Sequence, residues 1–320
     1  MPLLNLFSLV KLHIPDGFLS VPIALLGWAL AMAAIAFALR QTRGQLGSKQ
    51  IPLMGVLAAF IFAAQAINFP VAGGTSGHLL GGTLAAIVLG PWAAVLVMTS
   101  VISVQALMFQ DGGLLALGFN IINMGVLTAF TGHLIYVALK RVLGEGRNSL
   151  LAAGAIGAWV SVVLGAIATG IELVGSGTSS FNVALPAMIG VHVLIGVGEA
   201  IITVGALAFI YAGRRDLLNL GASAPAQGAA NWVAVGLGIA LTVAVFSFAA
   251  SPSPDGLNRV AADTGFLNRA LAPVFNILPN YTIPFIANPV VSRIIAVVAG
   301  TLGVFGIALA IARAQRRAQA

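Results

Sequence analysis

Nine apolar stretches dominate this sequence, most of them long enough to cross a hydrocarbon layer and nearly all free of charge. They run near Pro22–Leu39, Ile51–Asn68, His78–Leu89, Pro91–Phe109, Leu114–Leu139, Leu150–Leu173, Pro186–Tyr211, Trp232–Ala249 and Ile294–Ala312. A crossing takes about 20 helical residues. In lipid, backbone polar groups must be satisfied internally, so apolar runs without strand alternation are helices. Apolar residues make up 59% of the chain and charged ones 7%, too little charge to coat a soluble domain of this length. The expected fold class is an all-α integral membrane protein, a polytopic bundle of about nine transmembrane helices.

Charge sets the expected topology. Arg40, Arg43 and Lys49 follow the first stretch, Lys140, Arg141 and Arg147 the fifth, Arg214 and Arg215 the seventh, and Arg313, Arg316 and Arg317 the ninth. The third and fourth stretches, separated by Gly90-Pro91, read either as a hairpin or as one kinked helix. Only the hairpin puts all four basic clusters on one side, and the positive-inside rule then places the N-terminus outside and the C-terminus inside. The same rule explains the net charge of +7 without nucleic acid. The small, polar stretch 216–231 reads as a cytoplasmic linker. It joins a seven-helix domain, residues 12–215, to a two-helix tail, residues 232–320. No cysteine is present, which excludes thiolate ligands and disulfides.

Polar residues inside such a chain are candidates for function. His13, His78 and His192 fall near the expected outer surface, and His133 toward the inner end of the fifth stretch. Neutral imidazole is a common ligand for nickel, copper and zinc. His78 is the best candidate, because the glycine-rich Phe69–Gly77 ahead of it is non-helical backbone at membrane depth, tolerated only inside protein or beside a cavity. His13-Ile14-Pro15-Asp16-Gly17 reads as a compact turn, as does Pro254-Asp255-Gly256-Leu257. Glu199 shares a face with His192 and Thr203, and Glu172, Gln105, Asn120 and Asn123 add buried polarity. Each either glues helices together or orients a ligating imidazole.

Taken together, HIPDGFLS (His13–Ser20), NFPVAGGTSGHLLGG (Asn68–Gly82), LGFNIINMG (Leu117–Gly125) and HVLIGVGEAIIT (His192–Thr203) resemble the CbiM/NikM family. The tail, with SPDGL (Ser253–Leu257), resembles the small PDGLE-type CbiN/NikN component, here fused. The resemblance implies the substrate-binding membrane component of an energy-coupling-factor, ABC-type importer for Ni2+ or Co2+ in a bacterial inner membrane. The ion would be cargo, with no cofactor held permanently and no enzymatic activity. Cytosolic ATPase subunits and a membrane coupling subunit would be the partners, since the chain has no phosphate-binding loop of its own. Stretches two, six and seven, rich in small residues, are the candidate contact faces.

The family's metal ligands, carried over, are a terminal amine at Leu12, the backbone nitrogen and ring of His13, and the ring of His78. Four nitrogens in a near-planar array suit Ni(II) and also admit Co(II) or Cu(II). The sequence departs from the family in two places. Eleven residues precede Leu12, so the expectation is that 1–11 is an extension ahead of the true start and that Leu12 is the initiating residue. Asn258 stands where the tail family carries glutamate. Two other functions compete: an intramembrane serine protease using Ser76 of Gly74-Thr75-Ser76-Gly77, and a vitamin-binding component of the same transporter class.

Overall fold

The computed structural model describes residues 12–218 and 229–317. The extension 1–11, most of the expected linker 216–231 and the last three residues lie outside them. The regular structure of the described chain is helical apart from one short hairpin. Its helices are α1 (Val21–Thr42), α2 (Gln50–Gln65), α3 (Gly82–Leu89), α4 (Pro91–Phe109), α5 (Leu117–Leu143), α6 (Arg147–Gly175), α7 (Phe181–Gly213), α8 (Ala229–Val245), α9 (Gly256–Asp263) and α10 (Pro289–Arg317). The hairpin pairs β1 (Phe69–Val71) with antiparallel β2 (Thr75–Gly77).

Among the described residues, seven helices are long and apolar enough to cross a membrane: α1, α4, α5, α6, α7, α8 and α10. Two of the nine expected stretches fall short. The second is a 16-residue apolar helix, α2. The third is helical only from Gly82, because the glycine-rich residues ahead of it form the hairpin and a loop, with Gly73, Gly74 and Gly81 at positive φ. Gly90, at φ 85°, breaks the chain between α3 and α4. Those two helices pack on each other, as the hairpin reading requires.

The basic clusters do gather at one end. The Gly44 amide after α1 bonds the Gln315 carbonyl near the end of α10. Lys49 bridges Asp216, just past α7, at 2.9 Å. The Arg214 guanidinium beside Asp216, with Lys49, holds that carboxyl well below its usual range. α6 and α7 pack as consecutive helices joined by a short loop, which brings Arg147, at the start of α6, to the Arg214 end. His13, His78 and Asp255 lie at the opposite end.

Helix packing relies on small residues, as in other membrane bundles where close backbone approach replaces a hydrophobic driving force. The start of α5 crosses α1 so closely that a Cβ on Gly118 would fall on the Trp28 amide and the Gly27 backbone. Backbone cannot yield as a side-chain tip does. Gly118→Ala is therefore expected to cost at least about 1–3 kcal/mol, read as a lower melting temperature by size-exclusion thermostability in detergent. An unchanged melt would contradict the crossing.

The tail does not stand apart. Both α8 and α10 pack on α2, 13 of whose residues are buried. That covering removes α2 from the candidate partner faces and leaves α6 and α7. A second buried cluster at the site end joins Ile14 and Phe18 to Leu173 of α6, Met188 of α7 and Leu257, Val260 and Phe266 of the tail. The Phe18 and Phe266 rings meet edge to face, centroids 5.0 Å apart.

Candidate metal centre

The turn His13–Gly17 is held by one carboxylate and one carboxamide. Asp16 accepts the amides of Leu114 at 2.9 Å, Leu115 at 2.8 Å and Ala116 at 3.1 Å, and so fixes the turn that opens α5. Asn120 reads the Ile14 peptide in both directions: its Oδ1 accepts the Ile14 amide at 3.0 Å and its Nδ2 donates to the Ile14 carbonyl at 3.1 Å. The motif around Asn120 and the turn around His13 are thus two halves of one support. Residues Ile121–Leu127 of α5 form a π-helical turn, a distortion that occurs frequently at functional sites.

The second loop carries His78. Glu199, fully buried on α7, accepts the Leu80 amide at 2.6 Å and the Gly81 amide at 2.9 Å. Those donors would otherwise be buried and unpaired where α3 begins, so the carboxylate deep in the bundle acts as a backbone clamp. Ser76, also fully buried, donates to the Ser253 carbonyl at 2.8 Å and accepts from Asn68. Its hydroxyl faces no imidazole base, and the nucleophile reading loses its chemistry.

These supports bring the two imidazoles together. The His13 and His78 rings are 5.5 Å apart between centroids, edge to face, and both residues are buried. His78 Nδ1 lies 2.9 Å from the Leu79 carbonyl and Nε2 lies 3.2 Å from the Leu12 carbonyl. Carbonyls only accept, and a neutral ring has one proton to give. Burial and the neighbouring His13 ring push the His78 pKa down, which favours the neutral ring, in which one nitrogen faces an oxygen with no proton between them. His13 Nδ1 meets the Asp111 carbonyl at 3.1 Å, while its buried Nε2 has no hydrogen-bond partner. A cation would satisfy a lone pair on each ring. The backbone nitrogen of Leu12 lies beside them, 2.6 Å from the Asp111 carboxylate.

A cavity of about 70 Å³, ion-sized, touches Leu12, His13 and His78 and continues past Asn123 and His192 to Asp255 of the tail. A vitamin would need far more room. Among the described residues no group of three His, Cys, Asp or Glu is placed to hold a metal. The candidate set is two rings with backbone nitrogens.

The tail closes over both loops. The Ser76 amide donates to the Pro254 carbonyl at 2.8 Å, Ser251 to Asn68 at 2.8 Å and Leu271 to Asp16 at 2.8 Å. Asp255 is the N-cap of α9, accepting the Asn258 amide at 2.9 Å and the Asn258 side-chain Nδ2 at 2.7 Å. Burial pushes the Asp255 carboxyl up to about 7. Asp255 thus caps α9 through its side chain, with both the Asn258 amide and the Asn258 side chain donating to its carboxylate. Gly256 is small for a reason: a Cβ there would sit 2.7 Å from Ile195 and 2.9 Å from the His192 ring. His192 lines the cavity and its Nδ1 bonds the Met188 carbonyl at 2.7 Å.

Other polar residues separate cleanly. Asn123 donates to Thr169 at 3.2 Å and Glu172 at 3.0 Å, and Asn123 and Thr169 line the cavity. Gln105 donates to the Tyr281 hydroxyl at 3.2 Å. His133 packs against Tyr136 and does not line the cavity. Asp111 and Tyr281 escaped the sequence reading. Asp111 was findable as one of only eight acidic residues, set in a turn between two apolar stretches. Tyr281 carried no sequence signal.

Residues 13–217 match the family model described as cobalt uptake substrate-specific transmembrane region, and 230–317 match the PDGLE domain. The putative fused nickel transport protein NikMN of Archaeoglobus fulgidus is 37% identical over 313 residues, covering 96% of this chain and 100% of the relative. The cobalt transport protein CbiM of Sorangium cellulosum is 34% identical, over 65% of this chain and 95% of its own length. A crystal structure of a truncated transition metal transporter superposes with a TM-score of 0.57 at 34% identity, over 62% of this chain and 98% of that one.

Proposed function

Because the chain belongs to the cobalt-uptake substrate-specific transmembrane family, with a PDGLE domain fused behind it, we propose that it captures Ni2+ or Co2+ as the substrate-binding component of an importer. The observation that carries this reading is the meeting of the buried His13 and His78 rings at a cavity of about 70 Å³. The ligands are those two rings, the His13 backbone nitrogen and the nitrogen of position 12. A free amine at Leu12 completes the set, and the Asp111 carboxylate, 2.6 Å away, would hold such an amine as readily as an amide. The mass of the mature N-terminus tests that point: a chain retaining residues 1–11 would remove the amine.

Capture takes place at the outer face of an inner membrane. The separation of the basic clusters from the site end supports this orientation by the positive-inside rule. Transport power comes from cytosolic ATPase subunits through a membrane coupling subunit. α6 and α7 are the faces open to the latter.

Metal content of the purified protein beginning at its mature N-terminus tests the function. About one Ni2+ or Co2+ per chain is expected, and none after equilibration with either ion would end the proposal. Affinity should also fall in acid. Burial lowers the His78 pKa, which favours the neutral ring that offers its lone pair. The nitrogens of positions 12 and 13 must each give up a proton to bind. Affinity therefore rises with pH, by about tenfold or more per pH unit between 6 and 8. A flat profile in competition titrations would remove the backbone nitrogen from the ligand set.

A further inference from the structure

Asp111 links three parts of the molecule. Its Oδ1 accepts the position 12 nitrogen at 2.6 Å and its Oδ2 accepts the Tyr281 hydroxyl at 2.6 Å. Its own carbonyl meets His13 Nδ1 at 3.1 Å. Tyr281 belongs to the tail, so one tail hydroxyl is a single carboxylate away from a proposed metal ligand.

The backbone at this junction is strained. Among the described residues, three non-glycines have positive φ: Gln110 at 55°, Asn280 at 53° and Tyr281 at 59°. Gln110 immediately precedes Asp111, and the other two present the hydroxyl. Left-handed backbone is uncommon outside glycine, most of all for a bulky residue. It persists where surrounding structure over-determines it, and it concentrates at functional sites. Here the surroundings are evident. The Tyr281 ring stacks on Phe109, centroids 4.7 Å apart and planes within 15°. The Arg293 guanidinium lies 5.9 Å from its centroid, and Gln105 donates to its oxygen. Packing alone would be met by phenylalanine. The hydroxyl aimed at a buried carboxylate is what the strain adds.

We propose that Tyr281 is a positioning residue through which the tail sets metal affinity: its hydroxyl orients the Asp111 carboxylate, which in turn fixes the nitrogen of position 12. The inference rests on the metal-site reading above and adds a named route from the tail to the ligands. Ligand-orienting groups of this kind change affinity by about 10–100-fold when removed.

Tyr281→Phe keeps the ring and removes only the oxygen. In the whole protein beginning at its mature N-terminus, Ni2+ affinity is measured by competition with a chromophoric chelator, and the ligand field by the d–d absorption and circular dichroism bands. Tyr281→Phe should bind about tenfold more weakly, with shifted bands and a folded protein whose melting temperature falls only by what one buried hydrogen bond is worth. In an Asp111→Asn background the same change should do nothing further, because the route is already cut. Parent-like affinity and bands in Tyr281→Phe would overturn the proposal, as would losses that add in the double variant. Failure of the underlying reading looks different: the parent itself would hold no Ni2+, or His78→Ala would bind as the parent does.

Discussion

His78→Ala should abolish measurable Ni2+ and Co2+ binding, weakening affinity by well over about 100-fold. Losing a group that merely orients a ligand costs about 10–100-fold, and here the ligand itself is lost. The substitution is mild for the fold. His78 lies in the loop ahead of α3, and the loop is held by Glu199 through Leu80 and Gly81, by Ser76 through Ser253, and by the β1–β2 pairing. None of those contacts uses the imidazole. A folded, monodisperse variant without metal is therefore the expected result, read by elemental analysis and by competition titration. Retention of metal at the parent's stoichiometry and affinity would show that the ion binds elsewhere and would dissolve the proposed site. The same experiment separates metal capture from vitamin capture, since a vitamin has no need for a paired imidazole.

The helical class and the pairing of His13 with His78 were both legible in the residues, for different reasons. The class follows from hydropathy, which depends only on composition along a window. The expected hairpin at Gly90 followed from counting basic residues, and α3 does pack on α4. The pairing rested on family motifs, because no periodicity relates positions 65 residues apart in the chain. What stayed hidden was the network of backbone contacts. Asp16, Asn120 and Glu199 were visible as polar residues in apolar surroundings, but sequence could not say that each grips main-chain amides rather than side chains. A main-chain partner leaves no residue type to read. Tyr281 was invisible for the further reason that its contact with Asp111 spans 170 positions and depends on left-handed backbone at two residues that carry no glycine. The length of α2 and the shortening of α3 were missed because hydropathy does not register where a glycine-rich segment stops being helical.

Glu199 offers the second large effect, because it couples the fold to the site. Its carboxylate is fully buried in α7 and accepts two backbone amides at the start of α3. Glu199→Ala removes both acceptors at once and leaves the Leu80 and Gly81 amides facing a small void. Each buried, unsatisfied donor costs about 1–3 kcal/mol, so a loss on the order of 2–6 kcal/mol is expected, together with weaker metal binding as the His78 loop relaxes. Glu199→Gln separates the two effects. Its carbonyl oxygen still accepts one amide, while its NH2 confronts the other, so a loss between those of the parent and the alanine variant should follow. Thermal unfolding in detergent and Ni2+ titration, run on the same preparations, give the result. If the alanine variant melts with the parent, the two amides have found other partners and the clamp is not what holds the loop. If it melts early yet binds Ni2+ with parent affinity, the His78 loop is held by the β1–β2 hairpin and the tail alone.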